Sequence, residues 1–256
     1  MTQLVEVTRE TGVVRIEMNR PEAMNALSRE LAEAVVETAS EHAADPGVRA
    51  LVLSAAGRAF CAGADLHETP RLMRQPIDDQ VAAHTHMQRL FERFERLPLV
   101  KIAEIGGPCV GAGVVLASLC ELRVATPQAF FCLPELSFGV PFSLAGLPRL
   151  LRAVGPTLAA EMLLTGHRLY ADEALARGLV TRVCGADEIL GVVDEWTSTI
   201  TGLSRLLVTN AVSRLREANE SLLSSDRYDA DSLVLASMDP DSARLSAMYA
   251  SSITGK

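Results

Sequence analysis

A chain of 256 residues with 48% apolar side chains can bury a sizeable core, as one large domain or as one domain with a helical appendage. Its net charge is −8, and no run of Lys and Arg interleaves with aromatics. This argues against nucleic acid or an anionic membrane surface as the main partner, but leaves room for a small phosphorylated molecule held by a few local arginines. The first ten residues show no basic stretch followed by an apolar one, so no secretory signal is expected. No apolar run reaches the ~18 residues of a membrane span; the longest, Cys109 to Cys120, stops at Glu121. The cysteines (Cys61, Cys109, Cys120, Cys132, Cys184) are odd in number, form no C-x-x-C pair and sit in apolar contexts. A cytoplasmic setting with reduced, mostly buried thiols is expected, and a small core residue is a better reading of each than a nucleophile.

In chain order, residues 3–9 and 13–18 alternate as strands around a Thr11-Gly12 hairpin turn. Ser28 reads as the N-cap of a helix whose apolar positions Leu31, Ala34 and Val35 recur at helical spacing. After a turn at Asp45-Pro46-Gly47, Val48 to Ser54 is continuously apolar, as in a strand buried on both faces. The small-residue segment 55–68 follows, with Asp65 read as a structural cap. Residues 69–97 read as polar and helical, with Pro70 and Pro76 breaking the start. His67, His84 and His86 fall here. They read as surface or interface residues; without Cys or carboxylates at ligand spacing, no metal site is expected.

Leu99 to Ile105 reads as a strand holding one carboxylate, Glu104, either buried or paired. It leads into residues 105–140, where Gly106, Gly107, Gly111 and Gly113 surround a proline ahead of an apolar run. Such a turn feeds a helix N-terminus whose N–H groups lack intrahelical partners and suit a developing oxyanion. Glu135 follows Pro134 between Leu133 and Leu136, as a base raised by its apolar setting or, more plainly, as an N-cap or salt-bridge partner. Strands are expected at 122–125, 129–133 and 180–183. Helices are expected from Pro148 to Val154, from a Thr157 cap to Leu164, and from an Asp172 cap to Gly178. Beyond Ala186 the chain reads as helical, with an acidic, irregular stretch from Asp226 to Asp241.

The blocks NRPEAMNALS (19–28), GRAFCAGADL (57–66), GPCVGAG (107–113), FCLPELSFGV (131–140) and LLTGHRLYADEALARGLVTRV (163–183) resemble, in order and spacing, the crotonase superfamily of enoyl-CoA hydratases and isomerases. The resemblance covers about residues 5–190. It implies an α/β fold, a crotonase-like spiral of ββα units over residues 1–190, with a C-terminal helical oligomerisation region at 191–256. It also implies trimers or dimers of trimers, and an acyl-CoA thioester substrate with no separate cofactor, coenzyme A being part of the substrate. Carried over by position, the thioester oxygen sits between the N–H groups of Ala64 and Ala112, the Ala62 carbonyl faces the adenine, and Glu135 is the catalytic acid or base. Arg58 and His67 are candidates for the coenzyme phosphates, and relatives often carry Lys where His67 stands. Phe138, Phe142, Leu144 and residues 69–97 are expected to line the acyl pocket.

One departure matters most. The family's hydratases use a first glutamate three residues after the oxyanion-hole residue, and here that position is Val115. Water addition needs one group to activate water and another to handle the α-proton. One carboxylate can instead shuttle a proton between carbons, as in the Δ3,Δ2-enoyl-CoA isomerases that the pattern resembles. A hydratase or lyase drawing its other acid from elsewhere, with Glu104 as one candidate, is the alternative, beside other crotonase chemistry. A non-catalytic acyl-CoA-binding protein is the alternative of another class, suggested by Val115, by Glu121 where relatives often carry Asp, and by the loop VPFSLAG.

Overall fold

The computed structural model of the chain describes residues 3–65, 67–72, 74–221, 234–236 and 238–254. Its strands are β1 (Val5–Glu10), β2 (Val13–Met18), β3 (Ala50–Ala55), β4 (Val100–Ile105), β5 (Cys109–Val110), β6 (Leu122–Ala125), β7 (Phe130–Cys132), β8 (Leu169–Tyr170) and β9 (Arg182–Val183). Its helices are α1 (Arg29–Ala43), α2 (Thr69–Leu72), α3 (Ile77–Glu95), α4 (Ala112–Ser118), α5 (Gly146–Thr165), α6 (Ala171–Ala176), α7 (Ile189–Thr201), α8 (Arg205–Ser221) and α9 (Pro240–Thr254), with short 3-10 turns at Pro21–Ala23 and Glu135–Phe138.

Six strands form one sheet in the order β1-β2-β3-β4-β6-β9. Only the β1–β2 hairpin is antiparallel; the other neighbours pair in parallel, β2 to β3 in the register Val13 to Ala50. A parallel sheet is covered on both faces, so its strands read as unbroken apolar runs. That is why β3 lacks polar alternation. Successive side chains point to opposite faces, and the sheet accordingly divides its residues between two cores. Ile16, Met18, Leu51, Leu53 and Ile105 face the larger core, shared with α1, α3 and α4. Val13, Ala50, Val52, Ile102 and Val124 face the smaller one, closed by Ile189, Val193 and Ile200 of α7 and Val208 of α8.

Helix α1 begins as expected, with the Ser28 hydroxyl accepting from Leu31 N–H at 3.1 Å. Asp65 behaves differently from a helix cap. It accepts from the His67 N–H at 2.8 Å and pairs with Arg20 at 2.8 Å, fixing a turn ahead of α2. As expected, the helical stretch Gly146–Thr165 is broken at Gly155-Pro156 into two helices, Gly155 being non-helical (φ 77°, ψ 165°); Thr157 lies just inside the second helix. His84 is buried on the inner face of α3, whereas His67 and His86 are exposed, His86 beside Glu33. The larger part of the acidic stretch 226–241 lies outside the described residues; its end, from Pro240, opens α9.

A second, three-stranded sheet, β5-β7-β8, stands beside the main one. It joins the two Gly-rich turns through a bridge between Cys61 and Cys109, with Val110 N–H donating to the Cys61 carbonyl at 2.9 Å. The thiols in this region are buried. Burial pushes Cys61 up to about 11 and Cys120 up to about 12, which leaves both as unreactive thiols at neutral pH.

Candidate active site

Two turns without side chains meet back to back. Gly63 (φ 99°) and Gly111 (φ 53°) both take backbone conformations that L-residues rarely adopt. A Cβ on Gly111 would stand 3.8 Å from the Gly63 Cα, and one on Gly63 would stand 3.3 Å from the Val110 carbonyl oxygen. Each glycine is followed by an alanine, Ala64 and Ala112. Ala112 is the first residue of α4, so its N–H has no intrahelical acceptor. The bridge between Leu27 and Ala64 uses the N–H groups of Leu27 and Asp65, not that of Ala64. Neither alanine N–H is taken up by a backbone acceptor among the described residues. Both residues line one cavity of about 460 Å³.

Glu135 lines the same cavity from the 3-10 turn after β7. A Cβ on Gly111 would come within 2.6 Å of Glu135 Oε1, so the carboxylate lies directly over the glycine that precedes Ala112. Its Oε2 is buried without a hydrogen-bond partner among the described residues. Burial pushes the carboxyl up to about 7, opposed only by its own backbone N–H. An orphaned carboxylate oxygen is costly to keep in a core. Here the residue lines the cavity together with Ala64 and Ala112, whose N–H groups have no backbone acceptor among the described residues, an arrangement that suits a base meeting a substrate proton.

The remaining lining is mostly apolar, with Arg74, Ser143, Ser246 and Tyr249 as its polar side chains. Val115, Val140, Pro141, Phe142 and Leu144 form one wall, Phe138 and Ala62 contribute, and Tyr249 of α9 stacks on Phe138 with ring centroids 3.7 Å apart. Ser246 donates to the Phe138 carbonyl at 2.8 Å, tying α9 to the turn that carries Glu135. The structure thus brings together Glu135, Ala64, Ala112, Ala62, Phe138, Phe142 and Leu144. It does not bring in Arg58, which reaches Met24 Sδ at 3.3 Å, nor the exposed His67. Of residues 69–97, Arg74 alone among those described joins the lining. Arg74 falls within the expected range 69–97, and Ser143 lies in the loop VPFSLAG. Sequence reasoning missed the α9 contribution, which reaches the cavity only through long-range packing.

Glu104 is not at this site. It faces Arg15 at 3.8 Å, with Glu17 and Asp194 nearby, and burial raises its carboxyl against the pull of that arginine. Glu121 has a structural partner: it accepts from Lys101 Nζ at 2.9 Å and from the Lys101 N–H at 2.7 Å. Among the described residues Glu135 is therefore the one carboxylate lining the cavity.

The family model described as Enoyl-CoA hydratase/isomerase matches residues 8–249. A probable enoyl-CoA hydratase of Mycobacterium leprae is 36% identical over 211 residues, 81% of each chain. The mitochondrial Delta(3,5)-Delta(2,4)-dienoyl-CoA isomerase of Rattus norvegicus is 36% identical over 180 residues, covering 67% of this chain and 55% of that one. Among solved structures, an enoyl-CoA hydratase of Mycobacterium avium subsp. paratuberculosis superposes with a TM-score of 0.83 at 27% identity, over 96% of this chain and 95% of that one.

Proposed function

The chain belongs to the enoyl-CoA hydratase/isomerase family of enzymes, and we propose that it acts on an acyl-CoA thioester as a Δ3,Δ2-enoyl-CoA isomerase, with Glu135 as the shuttling base. The thioester oxygen binds between the N–H groups of Ala64 and Ala112. Glu135 removes a proton from C2 of the 3-enoyl chain, and the negative charge moves onto the thioester oxygen. The two N–H donors and the α4 N-terminus stabilise that charge in a site that excludes water. The double bond shifts from C3=C4 to C2=C3 as Glu135 returns the same proton to C4. One carboxyl group suffices, and coenzyme A enters as part of the substrate with no other cofactor required.

The observation that carries this reading is that Glu135 is the one carboxylate lining the cavity among the described residues, with Val115 packed where a second acid would stand. A hydratase remains the second reading because relatives bear that name, yet its candidate second acid, Glu104, lies elsewhere. The test is Glu135→Gln. It is expected to abolish conversion of 3-enoyl-CoA to 2-enoyl-CoA while acyl-CoA affinity is kept. An undiminished isomerisation rate would sink the mechanism. Acyl-CoA affinity without either activity in the wild-type chain would identify a binding protein instead.

A further inference from the structure

Among the described residues no second acid lines the cavity, and the wall around Val115 matches this. Gly146, the first residue of α5, is buried between two side chains. A Cβ there would stand 2.6 Å from Val115 Cγ2 and 2.7 Å from Phe142 Cζ, so both groups crowd the same point. Val115 is almost fully buried, and Phe142 packs on the larger core while lining the cavity that holds Glu135. The loop that delivers Phe142 is held in place at some cost. Leu144 (φ 62°) and Ala145 (φ 51°) are consecutive left-handed residues that are not glycine. Such a pair persists only where its surroundings fix it. Arg149 supplies that fixation: it donates to the carbonyls of Leu144, at 3.5 Å, and of Ala145, while forming a two-pronged pair with Glu95 of α3.

We propose that Phe142 is a specificity-determining residue for the reaction type: with Val115 and Gly146 it fills the space in which a hydratase would hold its second acid and its water. The inference rests on the isomerase reading and extends it. A carboxylate introduced at position 115 alone meets the Phe142 ring beside Gly146, which leaves it no room to take up the position of a hydratase's acid. Removing the ring opens that room. Hydration then proceeds with atoms balanced: water oxygen bonds to C3 of a 2-enoyl-CoA, one carboxylate takes the water proton, and the other carboxyl gives a proton to C2.

The experiment compares Val115→Glu, Phe142→Ala and the double variant on crotonyl-CoA hydration and on 3-enoyl-CoA isomerisation across pH. Val115→Glu alone is expected to add no hydration, and the double variant to exceed the wild type by about 100-fold, the contribution of one positioned acid–base group. Phe142→Ala alone admits water to Glu135, so the acidic limb of its isomerisation profile moves about one pH unit lower. Other ionisable groups around Glu135 are Cys132 on the preceding strand and Arg74 and Tyr249 in the cavity lining; none of them is altered. Hydration by Val115→Glu equal to that of the double variant overturns the inference. So does a double variant that binds acyl-CoA and gains nothing, and so does an unmoved limb in Phe142→Ala, which decides the matter if the double variant does not fold. A wild-type chain inactive on 3-enoyl-CoA defeats the isomerase reading, and the hydration arms still judge the wall.

Discussion

At Glu135 the burial that readies a base also destabilises the fold. Its carboxyl is raised from 4.5 to about 7 by loss of solvent. A folded state that binds a proton more tightly than the unfolded chain loses stability as pH rises through that window, and below 4.5 the difference vanishes. The shift corresponds to about 2 kcal/mol once the partial exposure of the residue is allowed for. Glu135→Gln is therefore expected to be more stable than the wild type above pH 7 and equally stable near pH 4, as read by denaturant unfolding at both values. On the proposed mechanism the catalytic consequence has the opposite sense: the base works deprotonated, so isomerisation is expected to rise through pH 7. From sequence, the apolar neighbours of Glu135 pointed to a raised carboxyl. The orphaned Oε2 and its place over Gly111 did not show, because both depend on how β7 and α4 meet.

Helix α4 offers a direct test of the proposed oxyanion hole, since the donor assigned to its first residue is a backbone N–H. Ala112→Pro deletes the N–H at a helix position that tolerates proline. A loss of about 10²–10³ in kcat is expected with the fold retained, checked by steady-state kinetics beside circular dichroism. Unchanged kcat would remove Ala112 from the hole. Strand β4 holds a different kind of polar group: Lys101 is fully buried and pairs with Glu121. Glu121→Ala strands that ammonium and is expected to cost about 3 kcal/mol in denaturant unfolding. Elements with a strong local signal were readable in advance. The Ser28 cap and the apolar periodicity located α1, and an unbroken apolar run located β3 as a doubly covered strand. The two-residue strands β5 and β8 and the 3-10 turn of Glu135 carry no such signal, because neighbouring backbone rather than local preference creates them.

Across the whole molecule, the spiral core follows from five sequence blocks in order, and the described residues include no helix long and apolar enough to cross a membrane. The contribution of α9 to the cavity wall was not legible, since nothing in residues 240–254 alone says which surface they cover. Leu206 and Leu207 of α8 are 69% and 66% exposed, and Leu203 just before them is also exposed. An apolar surface of this kind favours self-association. We propose trimers or dimers of trimers, so light scattering is expected to give three or six times the 27.5 kDa of one chain; a monomer at micromolar concentration would contradict this.

The most direct measurement of the central claim sets the two chemistries side by side on the unmodified chain, with 3-enoyl-CoA and 2-enoyl-CoA thioesters of matched chain length. One carboxylate lining a cavity with Ala64 and Ala112, among the described residues, predicts rapid conversion of the 3-enoyl to the 2-enoyl isomer and little hydration of the latter. Efficient hydration of the 2-enoyl thioester without isomerisation of its 3-enoyl partner would contradict the account.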